Sequence, residues 1–110
     1  MFPEALKQQL RNVHAYAITP FRKDDLTQLD SEGFTRNLNF LIERGVRVLS
    51  IGGGTGEINA LSAAELAALC RVSLEVADGR ALVIPTLPGN SKVALELLPQ
   101  YEAKIGRAHV

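Results

Sequence analysis

Apolar residues along this chain fall into two alternating patterns. Short runs rich in alanine and β-branched residues occupy Val13 to Ile18, Val46 to Ile51 and Ala81 to Thr86, and each is followed by apolar positions at helical spacing. The runs begin at positions 13, 46 and 81, a nearly even repeat. Strands alternating with helical segments predict βαβ units, in which crossover helices join parallel strands. The third run contains Ala-Leu-Val-Ile, nearly all apolar, as suits a strand covered on both faces.

The helical segments carry start and stop signals. Asp30 is a good N-cap for the first crossover helix, Phe34, Leu38, Leu41 and Ile42 form its apolar face, and Gly45 offers a left-handed stop. The second opens with Ser62-Ala-Ala-Glu65, a capping-box sequence. Leu66, Leu69, Cys70, Ser73 and Val76 share its inner face, and Gly79 ends it. The third begins after Asn90 or Ser91, with Ala94, Leu97, Leu98 and Tyr101 as its stripe. A short amphipathic helix, Pro3 to Leu10, precedes the first strand.

Two architectures fit this rhythm, an open doubly wound sheet and part of a (β/α) barrel, and periodicity does not choose between them. Both place function at the carboxyl ends of the strands. The segments to inspect are therefore Thr19 to Leu29, Gly52 to Leu61 and Leu87 to Asn90.

Composition narrows the classes of partner. Twelve basic and twelve acidic residues give a formal net charge of zero, with no basic stripe for nucleic acid or an anionic membrane. A single cysteine, Cys70, excludes a disulfide framework and a cysteine zinc site. No stretch reaches the length of a membrane span, and Met1 to Leu10 lacks the basic-then-apolar order of a secretory signal, so a cytoplasmic protein is expected.

Gly52-Gly-Gly-Thr-Gly-Glu57 is the most informative stretch. Its glycines let the backbone approach a ligand and aim several N–H groups at one spot, a nest suited to an anion, and Thr55 adds a hydroxyl. The plainer reading is a tight strand exit. A dinucleotide fingerprint is excluded because Gly-x-Gly-x-x-Gly has no match, and a P-loop because Gly-Lys-Ser/Thr is missing.

Thr19-Pro20-Phe21 follows the first strand, with Asp24 or Asp25 and the Asp30-started helix after it. Gly45-Val46 leads into the second strand, and Gly53-Gly54-Thr55-Gly56-Glu57 leads to Leu61-Ser62-x-x-Glu65. Val83-Ile84-Pro85 and Gly89-Asn90-Ser91 come next. In this order and spacing the chain resembles the dihydrodipicolinate synthase / N-acetylneuraminate lyase family of Schiff-base aldolases. The resemblance implies an α/β fold, the N-terminal three βα units of a (β/α)8 TIM barrel, with residues 1–104 as a partial domain. It implies a full-length parent that is usually a homotetramer and needs no metal or organic cofactor. A lysine on a later strand attacks the keto group of pyruvate or another 2-oxo acid, and the resulting enamine serves aldol condensation, aldol cleavage or sugar-acid dehydration.

The same resemblance implies roles for single residues. Thr55 matches the threonine whose hydroxyl and amide hold the substrate carboxylate. Gly54 lies beside it, where relatives carry Thr, Ser or Gly; both are expected to be substrate-binding. Lysine-pathway synthases resemble one another in having two threonines here, the first relaying protons between tyrosines. Gly54 cannot do so and leans toward sugar-acid aldolases or dehydratases. Glu57 is assigned to loop structure. The Schiff-base lysine and the catalytic tyrosine belong beyond Val110, so no catalytic residue is expected in this chain and the chain itself is expected to be inactive. Lys92 and Lys104, the lysines after the glycine loop, both fall on the third helix.

The final six residues, Ile105-Gly-Arg-Ala-His-Val110, replace the Gly-Ala-Asp-like turn expected at this point. They equal the translation ATC GGA AGA GCA CAC GTC, the reading of a common sequencing adapter whose next codon is a stop. Residues 105–110 are therefore expected to be a non-native tail, the alternative being an ordinary helix end with Gly106 as its cap.

Other residues have plainer expectations. His14 lies early on its strand, away from the functional end. Tyr16 is assigned to the core, Cys70 to a packed thiol, Asp24 and Asp25 to a solvated turn, and Arg47 to a structural role. Two further classes stay open. One is a small anion- or nucleotide-binding α/β domain using loop 52–57, for which no phosphate-reading motif is present. The other is a regulatory or interaction protein built from a half-barrel fragment.

Overall fold

Three short strands alternate with helices in a computed structural model that describes residues 3–108, with side chains to Lys104. The order is α1 (Glu4–Leu10), β1 (His14–Tyr16), α2 (Ser31–Glu43), β2 (Val48–Ile51), a 3-10 turn (Ile58–Ala60), α3 (Ala63–Ala77), β3 (Leu82–Pro85) and α4 (Ser91–Ala108). The strands form one sheet in the order β1-β2-β3, parallel throughout, with Tyr16 opposite Ser50 and Ser50 opposite Ile84. This is the N-terminal portion of a TIM-barrel-type α/β fold.

The caps explain the helix boundaries. The Asp30 carboxylate accepts from the Gly33 amide at 2.9 Å, and a side chain at Gly33 would run into that carboxylate. Ser62 and Glu65 complete their box, with bonds of 2.9 and 3.1 Å. Asn90 caps α4 by accepting from the amides of Lys92 and Val93. Gly45, at φ +96°, turns the chain out of α2, and the Val46 amide closes that helix end by donating to the Leu41 carbonyl. Val46 is thereby taken from the sheet, and β2 starts two residues later than the apolar pattern predicts.

Alternation along the strands divides the sheet into two faces. Ala15, Ala17, Leu49, Ile51 and Val83 turn toward Phe34, Leu38 and Ile42 of α2 and Leu69, Val72 and Ala77 of α3, forming the main core. Leu66, Ala67 and Cys70 of α3 meet Leu97 and Tyr101 of α4 in a second cluster. Tyr16 was expected in the core, and the structure corrects this: it belongs to the opposite face and is 63% exposed, because among the described residues nothing covers it. Ile18, on the same side, is likewise exposed.

α4 differs from the expected stripe in one position. Leu97 and Tyr101, four residues apart, are buried, whereas Leu98 lies about 100° further round the helix and is exposed. Pro99 sits within α4, where it has no N–H for the Leu95 carbonyl. The backbone of α4 continues through Gly106 to Ala108, so Gly106 does not end the helix. The side chains of the expected tail, 105–110, and all of residues 109–110 lie outside the described residues.

Candidate functional site

The carboxyl ends of the three strands bring three threonines to one end of the sheet: Thr19 after β1, Thr55 in the loop after β2, and Thr86 directly after β3. Between them runs the glycine-rich loop, and its shape follows from what each glycine meets. Gly52 has φ +68°, and a Cβ there would lie 2.6 Å from the end of the Leu66 side chain. Positive φ and this close approach together require glycine. A Cβ on Gly56 would lie 3.1 Å from each of the Ala17 carbonyl, the Gly52 nitrogen and the Thr19 hydroxyl. Gly54 is different: among the described residues nothing lies within 4 Å of its Cβ position.

The loop is folded by its own backbone. The Glu57 amide donates to the Gly54 carbonyl at 3.2 Å and the Ile58 amide to the Gly53 carbonyl at 3.0 Å. Glu57 takes a left-handed conformation at φ 62° and starts the 3-10 turn, which fits its expected place in loop structure. Gly54 and Thr55 are exposed, and among the described residues their amides have no hydrogen-bond acceptor. Thr55 adds a hydroxyl to the same exposed segment. Two adjacent free N–H groups and a hydroxyl at a strand's carboxyl end form a small donor surface of the kind that receives an anionic oxygen.

Neighbouring strand ends hold this loop. The buried Thr19 hydroxyl donates to the Gly56 carbonyl at 2.6 Å. The Thr86 hydroxyl donates to the Ile51 carbonyl, and the Thr86 carbonyl accepts from the Tyr101 hydroxyl at 2.8 Å. Burial pushes the Tyr101 phenol well above its ordinary range, and the nearby Cys70 thiol adds to the shift, so Tyr101 stays a donor. The sequence pattern placed Tyr101 on an apolar stripe and missed this contact. The contact ends on a backbone carbonyl 15 residues away, which leaves no signature in the sequence.

Other residues lie apart from this end. His14 begins β1 and its Nε2 donates to the Leu10 carbonyl at 2.9 Å, at the opposite end of the sheet. Cys70 is buried among apolar residues, and burial raises its thiol pKa, with Lys104 partly offsetting the rise. Asp24 pairs with Arg22 in an exposed turn, where Asp25 accepts from Thr27. Arg47 donates to the carbonyls of Ile42 and Val46. An open groove between α2 and α3, lined in part by Glu32, Arg36, Arg71 and Glu75, contains helix residues only and no strand-end loop. Among the described residues no group of three His, Cys, Asp or Glu side chains is placed to hold a metal, and no helix is long and apolar enough to cross a membrane.

The chain belongs to the Dihydrodipicolinate synthetase family, which matches residues 9–107. It is similar to a 4-hydroxy-tetrahydrodipicolinate synthase of Methanococcus aeolicus, 34% identical over 88% of this chain and 33% of that protein. It is also similar to a probable 5-dehydro-4-deoxyglucarate dehydratase of Bacillus licheniformis, 28% identical over 83% of this chain and 29% of that protein. In three dimensions it resembles the dihydrodipicolinate synthase of Bacillus clausii, with a TM-score of 0.83 and 30% identity over 90% of this chain and 33% of that one. The chain thus spans about a third of the length of these relatives.

Proposed function

We propose that this chain is the N-terminal segment of a Schiff-base-forming lyase or synthase, and that its glycine-rich loop binds the carboxylate of pyruvate or another 2-oxo acid. The observation that carries this reading is the pairing of free amides at Gly54 and Thr55 with the Thr55 hydroxyl, at the carboxyl end of β2 in a chain of this family. A carboxylate there would receive charge-assisted hydrogen bonds, stronger than neutral ones. It would be held with its keto carbon toward the interior of the completed barrel. Lys7, Lys92 and Lys104 lie on helices and Lys23 in the loop after β1. The family resemblance implies that the lysine that forms the Schiff base lies on a later strand of the full protein. Its amine adds to the keto carbon, water leaves, and the protonated imine draws electrons from the neighbouring carbon so that an enamine can form. The segment described here orients the substrate and needs no organic cofactor or metal to do so. A cytoplasmic homotetramer is the assembly this reading assigns to the full protein.

The open space at Gly54 favours a long substrate. Glycine places no side chain beside Thr55, and it supplies no hydroxyl for proton relay. Both features suit a 2-oxo sugar acid better than the aspartate semialdehyde of the lysine pathway, in line with the named activity of the Bacillus licheniformis relative. The test is a chimera in which residues 1–104 replace the matched third of the Bacillus clausii synthase. It is assayed with pyruvate plus aspartate semialdehyde and with a panel of 2-oxo-3-deoxy sugar acids. Turnover of a sugar acid with poor condensation supports the reading. Efficient condensation with no sugar-acid turnover ends it.

A further inference from the structure

Four of the five residues from Gly52 to Gly56 are glycines, with no side chains to pack and the largest entropy cost of ordering. A donor surface made of their amides is useful only if something else fixes it. Two hydroxyls from outside the loop reach its two ends. Thr86 donates to the carbonyl of Ile51, the last residue of β2, and its oxygen lies 3.6 and 3.9 Å from the Cβ positions of Gly52 and Gly53. Thr19 donates to the carbonyl of Gly56, the residue after Thr55, and is 5% exposed. Thr86 is itself tied to α4, because its carbonyl accepts from the buried Tyr101 phenol. The loop is thus clamped by the ends of both neighbouring strands, and one jaw is anchored to α4, which begins 39 residues after the loop does.

We propose that Thr19 and Thr86 are positioning residues for the anion-binding loop, holding the Ile51 and Gly56 carbonyls so that the segment bearing the Gly54 and Thr55 amides keeps one conformation, with Tyr101 fixing Thr86. The ligand they serve rests on the reading that this loop binds a 2-oxo acid. The clamp itself does not. Neither threonine touches the substrate in this account; each acts through a backbone carbonyl.

The experiment is hydrogen exchange by mass spectrometry on the full chain, without ligand, for wild type, Thr19→Val, Thr86→Val and the two serine variants. Pyruvate titrations by saturation-transfer NMR are run on the same samples. The valine variants should exchange faster in segment 52–58, on the order of tenfold for loss of one hydrogen bond, with α2 and α3 unchanged. They should also bind pyruvate more weakly, and serine should restore both properties. Unchanged exchange in 52–58, or equal loosening of loop and helices that serine does not repair, overturns the proposal. If the valine variants do not fold, the serine variants decide: a wild-type loop supports the clamp, and a loosened loop overturns it. Wild type that shows no saturable pyruvate binding, together with valine variants that loosen only the loop, leaves the clamp standing and removes the proposed ligand.

Discussion

Thr19 donates its hydroxyl hydrogen to the carbonyl of Gly56, 2.6 Å away and 37 residues later in the chain. That contact is possible because Gly56 has no side chain. Its missing Cβ would press on the Ala17 carbonyl, the Gly52 nitrogen and the Thr19 hydroxyl at once. Two of the three are backbone and cannot step aside.

Gly56→Ala should therefore destabilise the chain by about 1–3 kcal/mol, the usual cost of forcing an atom into a filled site. Gly54→Ala, two residues earlier and in open space, should change stability by no more than about 0.5 kcal/mol. Urea unfolding at one fixed protein concentration checks the contrast. Equal effects at the two positions would mean the loop is not packed as described.

Much of this arrangement is legible in the sequence. The parallel pairing and the Asp30 and Ser62 caps follow from periodicity and short-range chemistry, which a single sequence carries, and the order β1-β2-β3 is what the family resemblance implies. Tyr16 was misplaced because alternation along a three-residue strand says which residues share a face but not which face is covered. The ties from Thr19, Thr86 and Tyr101 were missed for a related reason. They span 15 to 37 residues and end on backbone carbonyls, which have no signature in the sequence. Gly54 and Thr55 stood out as a motif, but only the structure distinguishes the open glycine from the packed one.

The uncovered sheet face has a consequence in solution. Among the described residues β1 and β3 each have an unpaired edge, and Val13, Tyr16 and Ile18 are 79%, 63% and 57% exposed. Open parallel edges beside apolar side chains favour association. Sedimentation velocity on the purified chain should show self-association that grows with concentration. A monomer with a sharp cooperative melt would contradict this.

Tyr101 gives a pH dependence with a definite sign. Its folded pKa is raised above the unfolded value of about 10, so the neutral phenol is favoured by the fold. The stabilisation is fully present below about pH 10 and is lost as pH rises from there toward the folded pKa. Cys70, also raised by burial, begins the same loss above about pH 9.0, the ordinary thiol value. The urea midpoint should fall through this alkaline range. Tyr101→Phe should lose about 0.5–1.5 kcal/mol at neutral pH and show a shallower fall above pH 10. An alkaline profile identical to wild type would show that the Tyr101 phenol is not held neutral by the fold.

Gly54 offers a gain-of-function check on reaction type. In the chimera with the Bacillus clausii synthase, Gly54→Thr places a hydroxyl in the open space beside Thr55. Proton-relay assistance is typically worth 10²–10⁴-fold, so condensation with aspartate semialdehyde should rise toward the lower end of that range. Sugar-acid turnover should fall as the space closes. No change in either activity would remove Gly54 from the specificity of the site.

Thr55 is proposed to hold the carboxylate of a 2-oxo acid, and one measurement bears on that role directly. In the same chimera, sodium borohydride traps the Schiff base formed with pyruvate, and the trapped fraction is followed against pyruvate concentration for wild type and Thr55→Ala. A hydrogen bond to a charged group is worth about 1.5–3 kcal/mol, so the half-saturating concentration should rise by roughly one to two orders of magnitude in the variant, with full trapping at saturation. A half-saturating concentration equal to that of wild type would take Thr55 out of the site.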